Sequence, residues 1–340
     1  MSIRIFIAQP VHEASLERLK QMEGVEVDMA PTPSDSGPPE LTEKQLKNTE
    51  ALFSTFLPED HEKMERLKWV QVGSAGYGQL LGARFVERGI SATNGSGIHD
   101  TVIAEWNLAM MVNLVRNLRQ LIRNQEAGIW NRGAEFQQSI RGRVVGFWGY
   151  GGLARETARL CKSMGMEVHV LTRAGIKSRR RNYTVPGTGD PEGVLPDCAF
   201  EGDAMEDFLK NLDFLVMALP LNAETQGIMR AEHFQALPPG ALLLNPARGP
   251  LIEEDALLDA LRHQWIAGAA LDTHYHYPMP ADHPLWGFPN VIMTPHISGS
   301  DKSDFYLTRL WDIFLQNVGR HMRSEPLLNQ ISTEDLCREP

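Results

Sequence analysis

Residues 144–173 read VVGFWGYGGLARETARLCKSMGMEVHVLTR. The short apolar run 144–148 predicts a buried strand. Gly149-Tyr150-Gly151-Gly152-Leu153-Ala154 then fits G-x-G-x-x-[G/A]. Gly149 permits a tight turn, Gly151 lets the backbone approach a pyrophosphate, and Ala154 is small enough for close helix–strand packing. Residues 153–164 space their apolar side chains as an amphipathic helix whose N-terminus faces the phosphate site. Gly165 stops that helix, and 168–171 make a second strand. A glycine fingerprint between two strands, opening a helix, predicts a dinucleotide-binding unit.

The end of the second strand bears on which dinucleotide is bound. A carboxylate there would hydrogen-bond the ribose hydroxyls of NAD. This chain has Thr172-Arg173, followed by Lys177, Arg179, Arg180 and Arg181, with no acid between 173 and 181. A carboxylate would repel a 2′-phosphate, whereas a guanidinium can grip one bidentately. The segment predicts a preference for NADP(H).

The 340 residues suffice for two domains, each with its own core. The net charge of −10, with 42% hydrophobic and 22% charged residues, is that of a globular protein and argues against a nucleic-acid partner. Cys161, Cys198 and Cys337 are odd in number and widely spaced, so neither a disulfide framework nor a metal site is expected, and a reducing cytoplasm fits. No apolar stretch reads as a signal peptide or membrane span. There is no internal repeat.

In chain order, 3–8, 25–29, 51–55 and 69–73 read as strands, with a helix over 13–22 and a Pro/Ser/Gly-rich loop over 31–39. Residues 72–78, VGSAGYG, place small residues after a strand, where free backbone N–H groups can hold an anion. One long apolar helix is expected over 100–124, buried between domains. Residues 182–202 are rich in Gly, Pro and Asp, and are long for a connection inside a compact domain; their sequence does not place them. Strands are expected over 214–219, 242–245, 266–271 and 291–294, with a helix over 253–263. Arg248, Asp272 and His296 each follow a strand end on the edge that carries the glycine loop, which points to a site.

These residues carry a resemblance to the D-2-hydroxyacid dehydrogenase family. It covers nearly the whole chain and rests on Thr101 to Glu105, Gly149 to Ala154, Asn245 to Gly249, Ala269 to Asp272, and Asp282-His283-Pro284 through Thr294-Pro-His-Ile-Ser298. The wording around His296 is similar to formate dehydrogenases. The Thr172-Arg173 segment is similar to NADP-dependent glyoxylate/hydroxypyruvate reductases. The resemblance implies an α/β protein of two Rossmann-like domains with doubly wound parallel sheets and an active site in the interdomain cleft. The substrate domain would comprise 1–100 and 299–340, the dinucleotide domain 101–298. A homodimer built on the dinucleotide domain is implied.

By position, the resemblance makes His296 the general acid/base and Arg248 the arginine that polarises the substrate. Ser74, Ala75, Gly76 and His99 would complete substrate binding. Asp272 would hold the nicotinamide carboxamide. The remaining cofactor contacts would come from Thr101, Gly149, Tyr150, Gly151, Gly152, Leu153, Thr172, Arg173, Arg179, Leu219, Pro220, Thr225, Ala247 and Gly299. The residue types suit the chemistry: an imidazole titrating near neutrality can deliver a proton, and a fixed guanidinium can stabilise a developing oxyanion.

One position departs from the family. Five residues past Asp272, where a glutamate or glutamine is usual, stands Tyr277. A neutral phenol can orient the imidazole by hydrogen bonding but raises its pKa less than a carboxylate does. Another carboxylate, or His276, could take over the role; alternatively, Tyr277 simply lines a differently shaped pocket. Three functions follow: an NADP(H)-dependent reductase of a small 2-oxo acid, the same scaffold acting on another hydride donor such as formate, or a non-enzymatic NAD(P)H-sensing protein.

Overall fold

The computed structural model describes residues 2–31, 36–133, 137–303 and 305–337. The expected loop over 31–39 lies partly outside these residues. The chain forms two compact units: Met1–Ile98 with Arg180–Val185 and Asp301–Pro340, and His99–Arg179 with Pro186–Ser300.

Unit 1 holds five parallel strands, β1 (Ile3–Ile7), β2 (Val25–Met29), β3 (Ala51–Phe53), β4 (Trp69–Gln71) and β5 (Ser91–Thr93), in the order β2-β1-β3-β4-β5. Alternate residues serve opposite faces: Ile5, Ile7, Phe53 and Trp69 join one core, Phe6, Leu52 and Val70 the other. The first core is capped by helix Tyr306–Met322, whose Phe314 stacks on Phe53 with ring centroids 4.0 Å apart.

Unit 2 holds seven parallel strands, β6 (Val144–Trp148), β7 (Glu167–Leu171), β8 (Cys198–Phe200), β9 (Phe214–Met217), β10 (Leu242–Asn245), β11 (Gly268–Leu271) and β12 (Val291–Met293), ordered β12-β11-β10-β9-β6-β7-β8. Chain order reverses between β6 and β9, so the crevice beyond their carboxyl ends is where such a sheet binds ligands. Both faces are covered. Phe214 and Val216 of β9 point into one core, Leu215 and Met217 into the other.

The single long helix expected over 100–124 is two helices, Asp100–Val115 and Leu118–Glu126. Asn117 separates them in a left-handed conformation, φ 46°, which asparagine tolerates better than most residues. The break lets Arg119 donate to the carbonyls of Phe288 and Val291. Nor is the helical pair fully buried within its unit. Asn107 Nδ2 donates to Thr157 Oγ1 at 3.1 Å on the inner face, but Val112, Leu118 and Ile122 are exposed.

The 182–202 segment, which its sequence left unplaced, divides. Tyr183 is buried in unit 1, where its hydroxyl donates to Asp312 at 3.0 Å. The following residues fold onto the glycine-motif helix of unit 2. Asp190, buried, accepts the N–H groups of Gly193, Val194 and Leu195 at 3.0 Å and the Tyr150 hydroxyl at 2.8 Å. Arg155 lies over the Tyr150 ring and donates to the carbonyls of Tyr150, Lys177 and Asp190. Burial alone would raise the pKa of Asp190, but the N–H groups, the phenol and the Arg155 charge outweigh it and hold the carboxyl below its ordinary value. Asp190→Ala would leave the buried Tyr150 hydroxyl and the Gly193, Val194 and Leu195 N–H groups without their acceptor, a loss of about 3 kcal/mol. We expect a lower melting temperature and faster amide exchange at Gly193–Leu195; unchanged values would remove the cluster's structural role.

Candidate active site

Three chain segments meet at the carboxyl edge of the unit 2 sheet. After β10, Asn245 builds a turn: its Oδ1 accepts the Ala247 N–H at 3.1 Å and its Nδ2 donates to the Arg248 carbonyl at 2.8 Å. Gly249 presses on the His274 backbone, where a Cβ would lie 2.5 Å from the carbonyl carbon. The turn presents Arg248 at the surface, with Nη1 donating to the Ala247 carbonyl at 2.7 Å.

After β11, Asp272 is fully buried, with both carboxylate oxygens taken. Oδ1 accepts Thr294 Oγ1 at 2.5 Å and the Ile297 N–H at 3.0 Å; Oδ2 accepts the Ser298 N–H at 3.0 Å and the Ser298 hydroxyl. The Asp272 carbonyl accepts the His296 N–H at 2.7 Å. These bonds hold the loop after β12 around His296, whose φ of 56° lies in the left-handed region. That conformation costs a non-glycine residue roughly 1–2 kcal/mol and persists where the surroundings over-determine it.

The imidazole of His296 has its pKa lowered. Partial burial of the ring is the larger cause and the neighbouring Arg248 cation the second, with Asp272 opposing both. Tyr277 faces it ring to ring, centroids 5.6 Å apart at 57°. The phenol oxygen accepts the His274 N–H at 3.2 Å. His276, considered as a substitute partner, is turned toward His283, and the carboxylate paired with His283 is Glu254 at 2.5 Å.

The glycine loop fits a dinucleotide. Gly149, at φ 95°, leaves no room for a side chain against the Ala218 carbonyl, which a Cβ would approach to 2.6 Å. Over Gly151 the space is open, with nothing within 4 Å of a Cβ position. Gly151 caps helix Gly152–Ser163 without a side chain of its own, and the Asp100 carboxylate packs against Gly152 in the first turn. Leu153 is half-buried behind it. Two hydroxyls expected at the cofactor, those of Thr101 and Thr172, are buried without a partner among the described residues. Pro220, after β9, accepts the Thr225 hydroxyl at 2.6 Å, and Leu219 flanks Gly149. Gly299 lies against His99, a Cβ there falling 3.2 Å from that of His99. The Tyr150 side chain is committed to Asp190, so only its backbone remains for a ligand.

Arg173 is well exposed and pairs with Glu224 at 2.8 Å, an acid the sequence reading did not single out. Arg179 is half-buried, its pKa lowered by burial while Asp100 opposes the shift. In unit 1, the turn after β4 exposes Ala75 and Gly76, whose N–H groups have no acceptor among the described residues, while Ser74 Oγ donates to the Gly76 carbonyl at 2.6 Å.

A doubly wound sheet with a phosphate cradle, an arginine and a histidine on one edge defines a dinucleotide-dependent oxidoreductase. Residues 108–298 match the family described as D-isomer specific 2-hydroxyacid dehydrogenase, NAD binding domain, and the chain belongs to that family, whose members act on CH–OH donors. A glyoxylate reductase of Thermofilum pendens is 26% identical, covering 87% of this chain and 85% of its own. One from Korarchaeum cryptofilum is also 26% identical, covering 98% and 97%. Among solved structures, a family protein of Aeromonas salmonicida matches with a TM-score of 0.76 at 27% identity, covering 98% and 99%. A D-isomer specific 2-hydroxyacid dehydrogenase of Xanthobacter autotrophicus Py2, in complex with NADPH and MES, matches with a TM-score of 0.75 at 26% identity, covering 97% and 98%.

Removing the Arg248 charge should relieve the depression of the imidazole. In Arg248→Gln, NMR titration of His296 is expected to show a higher pKa than in the wild type; an unchanged or lower value would mean the two groups do not interact.

Proposed function

We propose that this chain reduces a small 2-oxo acid to the D-2-hydroxy acid with NADPH, with His296 as the proton donor and Arg248 polarising the substrate. The observation that carries this reading is that Arg248 and His296 follow β10 and β12 on the sheet edge that carries the glycine loop, with His296 held there by the Asp272 carbonyl; the arginine charge is one cause of the lowered imidazole pKa. A bound nicotinamide would supply the hydride; Arg248 would stabilise the negative charge that grows on the carbonyl oxygen, and His296 would give the proton. The open N–H groups of Ala75 and Gly76 suit a substrate carboxylate.

The preference for NADPH rests on Arg173, with half-buried Arg179 a second cation of the same basic segment. The Arg173–Glu224 pair is exposed on both sides, and such pairs contribute roughly 0.2–1 kcal/mol. A 2′-phosphate accepting charge-assisted hydrogen bonds can displace Glu224 at little cost. The related Xanthobacter structure, which holds NADPH, supports the same reading. Initial rates with NADPH and NADH against glyoxylate, hydroxypyruvate, pyruvate and phenylpyruvate test it. NADPH should be favoured, and Arg173→Asp should abolish or reverse the preference. No turnover with either cofactor, despite measurable NADPH binding, would point to a sensing role.

The lowered pKa of His296 sets the pH dependence. Reduction needs the imidazolium, so kcat/KM for reduction is high below the His296 pKa and falls as pH rises through it, at a value under the ordinary one of about 6.5. Tyr277→Glu would restore a carboxylate beside the ring, favour the charged imidazole and move the falling limb to higher pH. A limb that stays in place in this variant, with hydride transfer limiting, would show that Tyr277 only shapes the pocket.

We place the enzyme in the cytoplasm as a homodimer formed through the dinucleotide-binding unit. Exposed Val112, Leu118, Ile122 and Trp286 lie along a groove of about 450 Å³ and the neighbouring helix, and Trp130 is 89% exposed. Among the described residues no helix is long and apolar enough to cross a membrane.

A further inference from the structure

On the far side of β7 from the site, a second group of chemically active side chains converges. Glu167 and His169 are two residues apart on β7 and therefore share a face of the sheet. Cys198, on edge strand β8, stands directly opposite His169 in the parallel ladder. One donor atom from each of the three lies within 4.8 Å of the other two. His169 is 6% exposed; its Nε2 meets Glu167 Oε1 at 2.7 Å, while Nδ1 is buried with no partner among the described residues. Its ring leans on Phe200, centroids 5.6 Å apart, which fixes its orientation. Glu167 is exposed and Cys198 half-buried, so the cluster opens to solvent on one side.

We propose that Glu167, His169 and Cys198 form a site for a borderline-soft divalent cation such as Zn²⁺. A thiolate, an imidazole nitrogen and a carboxylate oxygen are the donor types this ion selects, whereas Ca²⁺ and Mg²⁺ require all-oxygen shells. Three protein ligands leave a fourth position for water. On binding, the Cys198 thiol releases its proton to solvent and the thiolate takes the metal; no oxidation is involved. The site lies toward the amino end of β7, whereas Thr172 and Arg173 follow its carboxyl end. The ion would tie edge strand β8 to β7, a stabilising function separate from hydride transfer. Residues 167, 169 and 198 form no motif in the sequence, because their proximity comes from strand pairing, and cysteine spacing alone argued against any metal.

The test uses the full chain with Co²⁺ as an optical probe. One equivalent should produce a thiolate-to-cobalt charge-transfer band that Zn²⁺ displaces. The band should vanish in Cys198→Ala, persist in Cys337→Ala, and need roughly ten-fold more Co²⁺ in Glu167→Gln. Zn²⁺ should raise the melting temperature of the wild type and not of Cys198→Ala. A second measurement is independent of any variant: Zn²⁺ should shield Cys198 in the wild type from alkylation by iodoacetamide, read by peptide mass spectrometry. No band, the same band in folded Cys198→Ala, or alkylation of Cys198 unaffected by Zn²⁺ would overturn the proposal.

Discussion

The candidate site depends on one buried carboxylate. Asp272 has no exposed surface, and it receives two backbone N–H groups and two hydroxyls from the segment that carries His296. A carboxylate in that setting is tolerable only because every oxygen is satisfied. The same bonds hold His296 at positive φ beside the sheet edge. The resemblance assigns Asp272 to a cofactor contact. Under the proposed mechanism its bonds to the His296 segment give it a positioning role as well.

A second polar cluster does comparable work for the cofactor loop. Tyr150 sits within the glycine motif, yet its side chain turns inward to Asp190, and Arg155 ties three carbonyls from separate parts of the unit to the same point. The glycine turn is thereby braced from behind while the space over Gly151 stays open. Rigid support of a phosphate cradle is what preorganised binding requires. The basic loop grows out of this braced region, and its exposed Arg173 makes a weak surface pair with Glu224.

The sequence showed most of what depends on local pattern. The strand runs other than the short β5 and β8, the glycine fingerprint and the placement of Arg248, Asp272 and His296 after strand ends were legible because a parallel sheet buries continuous apolar runs and leaves its chemistry in the loops. Three further features were not. The break at Asn117 was hidden because the apolar pattern continues through it, and the left-handed turn is decided by what Arg119 reaches. The role of the 182–202 segment depended on the long-range pairing of Asp190 with Arg155 and Tyr150. The engagement of the Tyr277 hydroxyl with the His274 backbone depended on a turn geometry that residue types do not announce.

Asp272→Asn separates the two assignments for that residue. An asparagine keeps the shape but replaces one acceptor oxygen with a donor that must face the Ser298 or Ile297 N–H, loosening the His296 loop. The measurement is kcat for reduction alongside the Kd for NADPH. If Asp272 positions His296, kcat falls by roughly 10²-fold or more while the Kd for NADPH stays near that of the wild type. Retained kcat with a markedly weakened Kd would contradict the positioning role and return Asp272 to the nicotinamide.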